Sequence, residues 1–149
     1  MTGHQYADLI SKYILFNFSY YELSLYREVR VGKSNLGNNR IVDIFITEKF
    51  SNDAFIIECK YQESSGTVDQ KIIYALEDLK SIGIGGCLCY AGNGFSPGIL
   101  NKLQSDHCAA YCLPNESFNR DKNTIDLDHA LAIHFQWWAL IIRDKAPIS

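Results

Sequence analysis

The segment Ala54-Phe55-Ile56-Ile57-Glu58-Cys59-Lys60-Tyr61 is a run of apolar, β-favouring residues with a carboxylate and an ammonium near its end. Its composition predicts a buried strand. Side chains alternate along a strand, so Glu58 and Lys60 share one face and Cys59 takes the other. Charges on a buried strand are expensive unless they are paired or used. The run before it, Ile41-Val42-Asp43-Ile44-Phe45-Ile46, predicts a second buried strand that also carries one acid. The turn Ser51-Asn52-Asp53 lies between the two. Pairing across that turn brings Asp43 toward Glu58, and adjacent carboxylates repel. A divalent cation relieves the repulsion, and all-oxygen ligation suits Mg²⁺. A structural ion pair between Lys60 and either acid accounts for the charges equally well.

Working outward, Tyr6, Leu9, Ile10, Tyr13 and Ile14 recur at helical spacing and predict a helix over 6–18. A strand follows over Leu25–Val31, then a turn-rich loop from Gly32 to Asn39. Downstream of Tyr61, Thr67-Val68-Asp69-Gln70 has the form of a capping box, and Ile72, Leu76 and Leu79 form the core stripe of the helix it opens. Gly86–Ala91 is a short apolar strand. Ser96-Pro97 reads as an N-cap with proline at the first helical position. Cys108–Leu113 is a further strand, and 126–143 a last helix. Strands mixed with helices around one sheet make an α/β or α+β domain.

The 149 residues fit one domain, 1–149. With 47% hydrophobic and 21% charged residues, the chain is neither disordered nor fibrous. A net charge of −3 argues against coating nucleic acid by charge alone, although metal-binding acids lower the sum in a nuclease. Nothing at the start resembles a signal peptide, and no apolar run is long enough to span a membrane. Five cysteines, an odd number, fit reduced thiols in a cytoplasmic protein.

Asp43, a spacer and Glu58-Cys59-Lys60, set in the order helix, three strands, helix, strand, resemble the PD-(D/E)XK nuclease superfamily over most of Tyr6 to Leu113. The stretch Lys60–Ile72 and the turn Gly92-Asn93-Gly94-Phe95-Ser96-Pro97-Gly98 are similar to small phage and bacterial members. The resemblance implies a restriction-endonuclease-like α/β core, a mixed sheet flanked by helices, with an extra C-terminal helix. It implies a hydrolase in which Asp43 and Glu58 hold Mg²⁺, or Mn²⁺ in its place, with the Cys59 carbonyl as a further ligand. The cation polarises the scissile phosphate and lowers the pKa of bound water. Lys60 then orients the water or stabilises charge on the phosphate oxygens. Gln62 shares its face if the strand continues and contacts the scissile phosphate; a solvated residue past the strand end is the plainer reading.

The chain departs from the family at the first helix, where many members carry a Glu after an aromatic residue. Here Tyr6 is followed by Ala7 and Asp8. Either Asp8 is the helix acid and a metal ligand, or the site lacks one, or Ala7 replaces a natural acid; Glu22 is a weaker candidate. Gln70-x-x-x-Tyr74 matches a pattern of some exonuclease branches, but helix capping by Gln70 explains it without function.

Lys33, Asn35, Asn38, Asn39 and Arg40 share one loop, and Asn and Arg pair with adenine and guanine in the major groove. The same residues suit a solvated hairpin that needs positive φ. Ser64, Ser65 and Thr67 stand at a helix N-terminus, which suits phosphate. Arg120, Lys122 and Asn123 read as a plain basic loop. A zinc site from Cys87, Cys89, Cys108 and Cys112 lacks the usual spacing, so these are core residues; His107, His129 and His134 are too scattered for a metal site. The last helix is apolar around much of its circumference, which suggests a subunit interface in a homodimer or homotetramer, or a central core helix. The expected activity is a metal-dependent endonuclease on double-stranded DNA, site-specific in the homing or restriction manner. Its small size is similar to homing endonucleases and Holliday-junction resolvases of the superfamily. A junction resolvase and a non-catalytic DNA-binding protein on a degenerate nuclease fold are the alternatives.

Overall fold

The computed structural model describes residues 1–34, 36–65 and 69–149. Helix α1 (Gly3–Phe18) leads through a short 3₁₀ turn to β1 (Leu23–Lys33), β2 (Asn39–Glu48) and β3 (Ala54–Tyr61). Then come α2 (Asp69–Ser81), β4 (Gly86–Ala91), α3 (Pro97–Ser105), β5 (Ala109–Tyr111), α4 (Ile125–Phe135) and α5 (Trp138–Ile142). The five strands form one sheet in chain order. The β1–β2 and β2–β3 pairs are antiparallel, and β3–β4 and β4–β5 are parallel. The restriction-endonuclease-like α/β architecture expected from the sequence is therefore present. None of the helices is long and apolar enough to cross a membrane, among the described residues.

Two cores lie on opposite faces of the sheet. On one face Ile44, Ile46, Ile57 and Cys89 pack with Tyr6, Ile10 and Ile14 of α1 and Leu127 and Leu131 of α4. On the other, Ile56, Leu88 and Tyr90 pack with Ile72 and Leu76 of α2 and Ile99 and Leu103 of α3. The cysteines are free thiols. Of the four cysteines expected in the core, Cys87, Cys89 and Cys112 are buried on the α1 face, together with Cys59, while Cys108 is only partly buried against the α2 face. The N-terminus of α1 carries a signal the sequence reading overlooked, a capping box in which Thr2 and Gln5 bond each other's backbone N–H. Ser96 caps α3 as expected. The Thr67 capping box lies outside the described residues.

The single helix expected over 126–143 is two helices. Gln136 takes a left-handed conformation (φ 65°) and ends α4. In an unbroken helix residues two apart point about 200° from each other, which would separate Phe135 from Trp137. The break lets those rings stack at 5.2 Å and sets Trp137 on Tyr21 at 3.9 Å. Most apolar residues of this segment are thereby used inside one chain. Ile133, Trp138 and Ile142 stay exposed.

Candidate active site

The first two strands change face at one point. Leu23 and Leu25 of β1, and Ile44 and Ile46 of β2, pack on the α1 side. Val29 and Val31, and Val42, pack on the α2 side. Strict alternation would keep each set on one face, so both strands turn over between them. The turnover falls where Glu28, with a φ of 56°, stands between the Arg27↔Ile44 and Val29↔Val42 pairs, opposite Asp43. A non-glycine residue at positive φ is strained and persists only where its surroundings hold it.

The β2–β3 ladder ends at the same place. Its last pair, at the end away from the β2–β3 turn, is Ile44↔Ile57. Beyond it the carboxylates take over as acceptors. The Glu58 Oε1 accepts from the Asp43 backbone N–H at 3.1 Å, and the Asp43 Oδ2 accepts from the Cys59 N–H at 2.7 Å. Asp43 and Glu58 are thus brought together, each acid held by the other strand. Burial, and next the charge of Asp43, push the Glu58 carboxyl up to about 7, against the opposing pull of the Asp43 N–H and Lys60. Ionising Glu58 beside Asp43 is therefore costly in the absence of a cation. That is a cost a divalent cation would offset, and the oxygen donors fit Mg²⁺ or Mn²⁺.

Lys60 follows Glu58 on the α2 face, and both line a cleft of about 490 Å³ between the β1–β2 hairpin and α2. Across the cleft Arg40 makes a two-point ion pair with Asp78 of α2, both bonds at 2.9 Å. The Tyr74 hydroxyl accepts from the Leu36 N–H at 3.1 Å. The hairpin is therefore latched to α2 over the Glu58–Lys60 face.

Three further groups singled out in the sequence lie near the acid pair. Asp8 is in an ion pair with Arg27, whose Nε also donates to the Asp43 carbonyl at 2.9 Å. Asp8 reaches the neighbourhood of the site, but with a cation already on it. Ala7 is 1% exposed and part of the α1 core. Gln62 gives its side-chain amide to the Gly94 carbonyl at 3.0 Å, and the Gly94 N–H donates back to the Gln62 carbonyl at 2.7 Å. A Cβ at Gly92, where φ is 105°, would stand 2.2 Å from that same carbonyl, so glycine is required for the turn to abut β3. Gln62 thus fastens the end of β3 to the Gly92–Gly94 turn.

The model of the PD-(D/E)XK nuclease superfamily domain matches residues 2–138. The chain belongs to the PD-(D/E)XK nuclease superfamily. No curated protein matches it. Two solved structures are similar in part. One is described as a protein of unknown function, with 11% identity, a TM-score of 0.46, and coverage of 69% of this chain and 54% of that one. The other is a repair endonuclease from Pyrococcus abyssi, with 15% identity, a TM-score of 0.35, and coverage of 65% of this chain and 42% of that one. The chain therefore spans about half the length of those proteins.

Of the residues expected to touch DNA in a PD-(D/E)XK protein, Lys33, Asn38 and Asn39 are exposed at the hairpin, and Ser65 is exposed in the loop after β3. Arg40 is instead committed to Asp78. Asn35 and Thr67 lie outside the described residues. The sequence reading missed Arg27, Glu28 and Asp78. The covered positions of β1 keep a regular alternation through Glu28, so no periodicity marks the turnover. The Arg40–Asp78 pair joins residues with no local pattern linking them.

Proposed function

We propose that this PD-(D/E)XK protein is a metal-dependent deoxyribonuclease that hydrolyses phosphodiester bonds in double-stranded DNA. The observation that carries the reading is the reciprocal bonding of Asp43 and Glu58 at the end of the β2–β3 ladder, with Lys60 beside them at the cleft floor. Asp43 and Glu58 would hold Mg²⁺ or Mn²⁺, with the Cys59 carbonyl as a further oxygen donor. When bound, the cation supplies Lewis acidity to the phosphate and a more acidic water. Lys60 places a positive charge where the phosphate oxygens gain charge. Arg27 keeps Asp43 at its station through the carbonyl and neutralises Asp8. The exposed hairpin residues Lys33, Asn38 and Asn39 meet the duplex, which favours a site-specific enzyme.

The test is incubation with Mg²⁺ or Mn²⁺ and two substrates, a complex linear genome and synthetic four-way junctions, with Lys60→Ala as control. Discrete genomic fragments absent from the control are the expected result. Cutting of junctions alone would select a resolvase. Binding without cutting would replace the enzyme with a DNA-binding protein.

A further inference from the structure

Beyond Asp43 the β1–β2 hairpin has parted from β3, because the β2–β3 ladder ends at Ile44↔Ile57. Its tip residues Lys33, Asn38 and Asn39 are exposed, and Asn39 stands four residues before Asp43 on β2. That is about 14 Å of strand, the rise of about four base pairs. A swing of about 14° at Asp43 would carry the tip past one base pair. A hairpin that reads bases so far from the cut needs a fixed angle to the cutting site, and β3 does not hold it there.

The attachments run to α2 instead. The Arg40 Nε and Nη2 donate to the two carboxylate oxygens of Asp78, each at 2.9 Å. The Arg40 Nη1 donates to the Val31 carbonyl of β1 at 3.3 Å, so one guanidinium ties both hairpin strands to one carboxylate. Nearer the tip the Leu36 N–H donates to the Tyr74 hydroxyl at 3.1 Å. Val29, Val31 and Val42 share a core with Ile72, Leu76 and Leu79 of α2. The helix is itself braced at both ends. The Lys80 Nζ donates to Asp106 beside β5 at 2.7 Å, and the Ser96 Oγ at the start of α3 donates to Asp69 at 3.1 Å.

We propose that Asp78 and Tyr74 are positioning residues for sequence recognition, a role that rests on the site-specific nuclease reading above. They fix the angle of the hairpin to Lys60 and so set the distance between the bases read and the phosphate cut. The setting of the ion pair favours orientation over mere cohesion. Its side chains are only 13% and 14% exposed, and desolvation offsets much of the stabilisation a buried ion pair provides. Two parallel bonds add direction, because the planar guanidinium meets a carboxylate in a defined orientation. Tyr74 supplies a second fixed point nearer the tip, which removes the freedom to pivot about Arg40.

The test compares the wild type with Tyr74→Phe and with Arg40→Met/Asp78→Leu, which replaces the ion pair by apolar side chains and frees no cation. Cut sites are first mapped in a wild-type Mn²⁺ digest of genomic DNA. A short labelled duplex carrying one mapped site and a duplex of scrambled sequence are then cut in single-turnover assays. One base contact discriminates by about 5- to 150-fold. The double variant is therefore expected to lose at least about tenfold of the wild-type preference for the mapped site, and Tyr74→Phe a smaller part. The rate on scrambled DNA and the urea midpoint should not fall. Full preference in the double variant overturns the inference, while discrete wild-type cutting leaves the nuclease reading standing. Equal losses on both duplexes, in step with a lower urea midpoint, also overturn it, because the pair is then a structural tie alone. A wild type that cuts at no discrete sites overturns the site-specific reading and this inference with it.

Discussion

The acid pair makes the metal-free protein less stable at alkaline pH, and Glu58→Gln should show by how much. Glu58 has an ordinary pKa of 4.5 and a folded value of about 7, first through burial and then through Asp43. The folded state binds this proton more tightly than the unfolded chain does. Its stabilising effect is complete below about 4.5, declines as the pH rises toward 7 and is gone above it. At 1.36 kcal/mol per pH unit the difference is about 3 kcal/mol, and partial solvent screening lowers it to about 2–3 kcal/mol. A glutamine keeps an oxygen to accept the Asp43 N–H and carries no charge. In EDTA near pH 8.5, Glu58→Gln should therefore be about 2–3 kcal/mol more stable than the wild type, a rise of about 1 M in the urea midpoint. Near pH 5 most of that gain should vanish. Saturating Mn²⁺ should reverse the order at the higher pH, because binding to the native state stabilises only the chain that retains both acids. Equal urea midpoints for the two proteins at both pH values would refute the argument, since burial and the Asp43 charge would then not be raising the Glu58 carboxyl.

Lys60→Ala should retain fold and duplex binding while losing cutting, as gel assays and anisotropy on the same preparation would show. Arg27→Met removes the cation between Asp8 and the Asp43 carbonyl; calorimetric titration should count about one Mn²⁺ per chain in the wild type and a second, weaker ion in the variant. Arg40→Met leaves the partly buried Asp78 without its guanidinium, at a cost of about 2–3 kcal/mol in urea unfolding. Tyr6→Phe removes the buried hydroxyl that donates to the Cys112 carbonyl at 2.6 Å. It should cost about 1–2 kcal/mol, or a fall of about 3–6 °C in Tm for a chain of this size.

The strands and helices around the site were legible because each carries its own local signal. The apolar β-branched runs at 41–46 and 54–61 and the Ser96-Pro97 start all describe elements the fold contains. Asp43 and Glu58 were legible as a pair because a hairpin of that length sets its register through the hydrophobic faces of Ile44, Ile46, Phe55 and Ile57. Partnerships between distant segments were not legible. Arg40 looks like a loop cation until α2 supplies Asp78, and nothing local in the sequence pairs Asp8 with Arg27 of β1. The last helix misled for a related reason. Its apolar residues encircle a continuous helix on paper, whereas the left-handed Gln136 redirects Trp137 into the core.

The two acids also explain why the sheet can end where it does. Where the β2–β3 ladder stops, the backbone N–H groups of Asp43 and Cys59 have lost their strand partners, and a buried donor left unpaired costs about 1–3 kcal/mol. Glu58 and Asp43 supply the missing acceptors. Two carboxylates thus stand in for two ladder bonds, and the turnover at Glu28 gives the hairpin room to leave the sheet and latch onto α2. Alanine at either acid would remove one of the proposed metal ligands and strand a backbone donor in one stroke, so a loss of activity would not separate chemistry from folding. Asparagine at 43 and glutamine at 58 keep the acceptor and remove only the charge. They are the substitutions whose effects report on metal binding and hydrolysis rather than on whether the two strands still part at the right residue.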